Sequence, residues 1–284
     1  MAIIIGTEMK KPKEKFRYAF LMAFLGLWMV VQIFPLIWLF LGGFKTENEL
    51  ISASFHILPK EWHFENFVEA FKTYDIGNNF LNTLFFCATI VCAQMITSAL
   101  AAFSLGQIKP KCGPMIFLYI MGTMMFSGTT LMFPLYIMFS NLGMIGSKWT
   151  FVLSASTSAY TIILFKNFFE GIPRALLEAA EIDGASKLKT FLSIILPLSK
   201  PICVVCMMNA FIWVYNSFLY PLMLLPSEKD WTVMIRLYLV QKLNYAPQPI
   251  IYVMLTVAVL PIILIYLFVQ KHIAEGTLSA GIKG

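Results

Sequence analysis

Residues 80–108 read FLNTLFFCATIVCAQMITSALAAFSLGQI, without one Asp, Glu, Lys, Arg or His. A helix rises about 1.5 Å per residue, so roughly 20 apolar residues cross a hydrocarbon core of about 30 Å. Working outward, five more runs have the same character: 18–44, 114–146, 149–165, 201–227 and 245–270. Each holds one span, which predicts an all-α membrane protein of six transmembrane helices. Helix is the form that satisfies every backbone group inside lipid without an edge. Composition agrees. The chain is 59% hydrophobic and 13% charged, against about 45–50% and about 25% for a soluble domain. Pro35, Pro134 and Pro261 fall inside runs and mark expected kinks. With no repeat and no Gly/Ser linker, residues 1–284 are expected to form one transmembrane domain.

The net charge of +6 is a matter of topology. The basic residues flank apolar runs and form no aromatic-interleaved face of the kind nucleic acid requires. Lys10, Lys11, Lys13, Lys15 and Arg17 precede the first run, which is too long for a signal-peptide core and lacks a small-residue cleavage site. Counted on alternate sides of the spans, Lys and Arg number fourteen on one side and seven on the other. The positive-inside bias predicts that both termini and the 166–200 segment are cytoplasmic. The long loop 45–79 is then extracytoplasmic. Trp62, His63 and Phe64 in that loop are candidates for interfacial anchoring or partner contact.

Catalysis finds little support. His56, His63 and His272 are scattered over loops on opposite sides. Cys203 and Cys206 make a lone CxxC within an apolar run, without the second ligand pair a zinc site needs. Nothing matches a Walker A loop, so a phosphate cradle for ATP is not expected in this chain. The spans contain no ionisable group at depth of the sort ion-coupled carriers keep. An uncharged pathway suits an uncharged, hydroxyl-rich solute.

The polar segment 166–200 is strongly patterned. Pro173 suits a first helical turn, Leu176, Leu177 and Ala180 form an apolar stripe, and Gly184 suits a left-handed cap. Leu188, Phe191, Leu192 and Ile195 recur at i, i+3, i+4 and i+7, which predicts a second helix with one apolar face until Pro197 and Pro201 turn the chain. Such a helix can lie in a lipid interface. Glu178, Glu181 and Asp183 favour a protein groove instead, because anionic headgroups repel them.

Glu178-Ala179-Ala180, then three residues, Gly184, nine residues, Ile194, one residue and Leu196-Pro197 resemble the EAA loop of bacterial ABC importer permeases. The flanking Ile172-Pro173 and Ile182-Asp183-Gly184-Ala185-Ser186 are similar to the sugar-importer branch, typified by the smaller membrane subunit of the maltose transporter. The likeness extends from Asn82-Thr83 to Phe211, Asn216, Phe218, Pro221-Leu222 and the tail Ala280-Gly281-Ile282-Lys283-Gly284. Tyr215 departs from it, standing where the family often has Trp before Asn. The order of Glu275-Gly276-Thr277-Leu278 also differs.

The resemblance implies a type I ABC importer fold in a bacterial inner membrane, with alternating access as the transport mode. It implies three kinds of partner: a second homologous permease, two ATPase subunits that bind ATP and Mg, and an extracytoplasmic sugar-binding protein. No cofactor is expected on this chain. Glu178, Ala179, Ala180, Asp183 and Gly184 would couple it to the ATPase, and the tail 271–284 would reach toward the ATPase or hang free. Asn82, Thr83, Asn209, Trp213, Tyr215 and Asn216 would line the solute pathway or make helix-to-helix bonds. The competing readings are an ATP-independent carrier or channel, and an importer of a related solute such as a polyol, glycerol phosphate, uronic acid oligomer, peptide or metal ion.

Overall fold

In the computed structural model, residues 12–52, 56–243 and 246–281 are described, from residue 271 on by the backbone alone. Lys10, Lys11 and the tail residues Ile282, Lys283 and Gly284 lie outside them. Among the described residues there is no strand. In chain order the α-helices are α1 (Pro12–Gly42), α2 (Glu47–Ile51), α3 (Glu65–Lys72), α4 (Ile76–Phe103), α5 (Gly113–Thr123), α6 (Gly128–Asn141), α7 (Lys148–Ala155) and α8 (Ala159–Glu170). They continue with α9 (Arg174–Ile182), α10 (Lys187–Thr190), α11 (Leu196–Leu198), α12 (Lys200–Asn216), α13 (Leu219–Leu224), α14 (Val233–Lys242) and α15 (Gln248–Gly281). π-helical turns at Ser104–Ile108 and Phe191–Ile195 extend α4 and join α10 to α11.

Three stretches are long and apolar enough to cross a membrane unbroken: Lys15–Gly42, Ile76–Ile108 and Gln248–Phe268. Two more spans arise if each bent pair counts as one: α5 with α6, bent by 103°, and Lys187–Leu198 with α12, bent by 82°. The sixth apolar run, 149–165, is divided between α7 and α8 at Ser156, Thr157 and Ser158. Serine explains where α8 restarts, since Ser158 Oγ accepts the Thr161 N–H at 3.3 Å as an N-cap. Helix α6 continues through Pro134, and the sharp bend falls earlier, at residues 124–127. There Met124, Met125 and Phe126 donate to carbonyls three residues back, which tightens and ends α5 before Ser127 turns extended.

The chain folds as two compact units, one from Met1–Tyr74 with Asn244–Val257, the other from Asp75–Leu243 with Ala258–Gly284. In the first unit Phe44 is buried and gathers the rings of Phe40, Trp62, Phe64 and Phe67 at centroid distances of 4.6–5.3 Å. Trp62 and Phe64 thus serve this cluster while remaining half exposed. The turn after α1 is held by Asn66, whose amide donates to Gly43 O at 2.9 Å and Lys45 O at 3.1 Å. His63 Nδ1 bonds Glu65 Oε1 at 2.7 Å, and that bond holds the exposed Glu65 carboxyl below its usual pKa.

In the second unit α4 packs along α8 and α12. One core cluster joins Phe86 and Ile90 of α4 to Phe151 of α7 and Tyr215 of α12. Another joins Ala102 and Phe103 at the far end of α4 to Phe165 and Phe169 of α8 and to Phe191 and Ile195.

Gly42 lies so close to the Tyr252 ring that a Cβ there would collide with it, whereas Gly26 on the same helix has open space around it. Gly42→Val is therefore expected to cost about 1–3 kcal/mol through overpacking, and Gly26→Val well under 1 kcal/mol. Thermal unfolding of the detergent-solubilised chain checks the contrast.

Candidate functional site

The 166–200 segment leaves α8 through two consecutive turns, Gly171 N–H to Phe168 O and Ile172 N–H to Phe169 O. Ile172 is buried, which anchors the start of α9, and Pro173 precedes it with φ −57°. On α9, Ala180 is buried and Leu177 packs against the cluster of Ala102, Phe103, Phe165 and Phe169. The other side faces outward. Glu178, Glu181 and Asp183 are exposed, and among the described residues none of their carboxylates has a hydrogen-bond or ion-pair partner. Ile182 is 86% exposed. Nothing in the periodicity singled it out, because a single apolar residue near the end of an amphipathic helix reads as one more member of its stripe.

The end of α9 is a Schellman motif. Ala185 N–H donates to Ala180 O at 2.9 Å and Gly184 N–H to Glu181 O at 3.0 Å, with Gly184 at φ +75°. No heavy atom lies within 4 Å of where a Gly184 Cβ would stand. A side chain there would be costly through backbone strain alone. Ser186 then caps α10, its Oγ accepting the Lys189 N–H at 3.3 Å.

The single apolar face expected for Leu188, Phe191, Leu192 and Ile195 is corrected by the structure. Phe191 and Ile195 are buried, whereas Leu188 and Leu192 are more than half exposed. The π turn accounts for this, because its wider winding separates the two i, i+4 pairs onto different faces. Leu176, Ile182, Leu188 and Leu192 are therefore apolar residues left exposed on the segment.

Helices α4, α6, α7, α8, α12 and α13 line a cavity of about 640 Å³. Gln94 of α4, Ser154 of α7, Thr161 of α8, Asn209 and Trp213 of α12 and Tyr220 of α13 supply most of its polar and aromatic lining, which includes no Asp, Glu, Lys, Arg or His. The Trp213 and Tyr220 rings are 6.1 Å apart, and the Tyr220 hydroxyl donates to Gly128 O at 2.8 Å. Gln94 is buried. Its Nε2 donates to Thr161 Oγ1 over a long 3.4 Å, and its Oε1 has no partner among the described residues.

The structure separates the six pathway candidates. Asn209 and Trp213 line the cavity together. Tyr215 is buried in the core, where its hydroxyl donates to Ala258 O at 2.7 Å, and exposed Asn216 donates to Ile212 O one turn back at 2.8 Å. Asn82 and Thr83 fasten the strap 229–233 onto α4. Asn82 Nδ2 donates to Lys229 O at 2.7 Å, and its Oδ1 accepts from Lys148 Nζ at 2.8 Å. Thr83 Oγ1 donates to Asn79 O at 2.8 Å and accepts the Val233 N–H at 2.9 Å. Sequence reasoning passed over Gln94 and Thr161. A polar residue in an apolar run carries no local sign of what faces it.

Residues 1–278 match the family described as "Binding-protein-dependent transport system inner membrane component". Protein LplC of Bacillus subtilis (strain 168) is 30% identical over 275 residues, 92% of each chain. The polygalacturonan/rhamnogalacturonan transport system permease protein YtcP of the same organism is 28% identical over 94% of this chain and 96% of its own. In a crystal structure of a bacterial ABC transporter involved in the import of the acidic polysaccharide alginate, one chain matches the fold with a TM-score of 0.80 at 20% identity. The match covers 92% of this chain and 98% of that one.

Thr83→Val orphans the buried Val233 N–H, a loss of about 1–3 kcal/mol. Thr89→Val removes only bonds to carbonyls of its own helix and is expected to stay within about 0.5 kcal/mol. Thermal midpoints of the two variants measure the strap's contribution.

Proposed function

The chain belongs to the family of inner membrane components of binding-protein-dependent transport systems, and from that premise we propose that it is one of two permease subunits of an ABC importer for a neutral sugar or oligosaccharide. Its partners are a second homologous permease, a pair of ATPase subunits that carry ATP and Mg, and an extracytoplasmic binding protein. Both termini and the 166–200 segment face the cytoplasm, in keeping with the excess of Lys and Arg on that side.

The observation that carries the reading is the two-faced α9. Leu177 packs against the cluster that joins α4 and α8, and Ala180 is buried, while Glu178, Glu181 and Asp183 are exposed with no hydrogen-bond or ion-pair partner among the described residues and Ile182 is 86% exposed. An exposed apolar residue close in sequence to exposed carboxylates suits a groove with an apolar floor and basic rim. We assign that groove to the ATPase, and α9 to the coupling helix. Ala179 keeps the contact low, and Gly184 turns the chain behind it. Closure of the ATPase pair on ATP then moves α9, and the aromatic packing at its back passes the displacement to α4 and α8. These helices line the cavity, and from Phe103 to Gln94 the rise along α4 is roughly 14 Å, so a shift of the helix end changes the cavity walls directly.

The cargo is argued from the lining. Both the galacturonan named for YtcP and the alginate of the structural relative are acidic polymers, which would ask for Arg or Lys. This chain offers amides, hydroxyls and aromatic faces instead. That lining fits a neutral hydroxylated solute. Asn209 and Trp213 contact it, whereas Asn82, Thr83 and Tyr215 hold the surrounding elements together and Asn216 bonds only within its own helix.

Gly184→Val forces a β-branched residue into a left-handed conformation, at a cost of at least about 1–2 kcal/mol, and should reorient α9 against the ATPase. Solute uptake by cells carrying the variant is expected to fall about five- to thirtyfold, since each 1.4 kcal/mol is a factor of ten. The ATPase subunits purified alone keep their hydrolysis rate. Normal uptake with Gly184→Val contradicts the coupling assignment.

A further inference from the structure

We propose that Gln94 and Thr161 form a hydroxyl-reading contact for an uncharged sugar ring that stacks on Trp213. The proposal rests on the importer reading above. It adds two residues and a discriminating chemistry that family membership does not supply.

The first ground is an unmet hydrogen-bonding capacity. A glutamine amide offers two donors and an acceptor oxygen with two lone pairs. Gln94, 6% exposed, uses one donor in the 3.4 Å bond to Thr161 Oγ1, and its oxygen has no partner among the described residues. An amide serving only to join α4 to α8 would be expected in a shorter, fuller bond. The last side-chain torsion of glutamine is broad, so a small rotation offers the amide to the cavity that Gln94 already lines.

The second ground is what faces it. Asn209 and Trp213 stand four residues apart on α12, hence on one face, and both line the same cavity. Trp213 is 49% exposed. A pyranose presents an apolar C–H face suited to an indole ring, and hydroxyls that both donate and accept, as a carboxamide does. The volume of about 640 Å³ is within the range of about 300–1,000 Å³ typical of ligand sites. A uronate would find no cation in this lining.

A trapped water could instead satisfy Gln94, and Ser98, one turn along α4, supplies the control. Its hydroxyl is also buried without a partner among the described residues, but Ser98 does not line the cavity. The complex that co-purifies with the full chain, together with its binding protein, is reconstituted in proteoliposomes. Uptake of radiolabelled raffinose, maltotriose and trigalacturonate is then measured beside ATP hydrolysis. The wild type is expected to take up a neutral sugar. Gln94→Leu should lower that uptake tenfold or more, mainly through a raised KM, and Thr161→Val should change it in the same direction. Ser98→Ala should remain within twofold, as should ATP hydrolysis in all three variants. Wild-type uptake of a neutral sugar by Gln94→Leu overturns the proposal and leaves the importer reading standing. So does a loss that Thr161→Val does not share, or one matched by lost ATP hydrolysis. Uptake of trigalacturonate alone, or of none of the three probes, overturns the neutral-sugar reading beneath it.

Discussion

The packing of α4 against α8 is the contact on which the rest of the second unit depends. At one end Ala102 and Phe103 meet Phe165 and Phe169, and Leu177 of α9 packs against that cluster. Farther along the same pair, Gln94 meets Thr161 at the wall of the cavity. Without a hydrophobic driving force between helices in lipid, such contacts rely on close packing and on polar bonds. Gly106 shows how close the approach is, since a Cβ there would lie 3.4 Å from the Lys166 carbonyl oxygen. The side chain of Gln107 also donates to Phe169 O, across the same seam. These contacts join α4 and α8 along much of their length.

Polarity is distributed along the second unit by function. Ionisable side chains collect at the ends, where Lys148 pairs with Asp230 and Arg236 with Glu228 around the strap 229–233, and Lys166 pairs with Glu170 beside the α9 segment. The interior keeps amides and hydroxyls. The desolvation cost of a charge inside a membrane protein is large, and a pathway for a neutral solute avoids it. Hydroxyl groups that lose water on entering such a cavity need partners there, and Gln94, which lines it, has an acceptor oxygen without a partner among the described residues.

Much of this was legible in the sequence wherever a feature is local. Residues 80–108 became an unbroken helix because nothing within them competes with helical bonding, and Gly184 took its left-handed conformation because an amphipathic helix ending in Asp-Gly asks for one. Features that depend on tertiary contacts were not legible. The break at 124–127 follows a series of turn bonds rather than Pro134, where periodicity and a proline pointed. The faces of Leu188 and Leu192 are set by a π turn that a 3.6-residue period cannot anticipate. Asn82 and Thr83 read as pathway residues by position, yet their bonds reach the strap, 147 or more residues downstream in the chain. Gln94 looked like any polar residue in an apolar run until Thr161 and the cavity were beside it.

The central claim is that this chain works as one half of a permease pair driven by separate ATPases, and the most direct measurement is affinity purification of the tagged full chain in mild detergent with mass spectrometry of what accompanies it. The account predicts a second polytopic permease of the same family together with an ATPase subunit. A homo-oligomer of this chain alone, with no ATPase recovered, would contradict it.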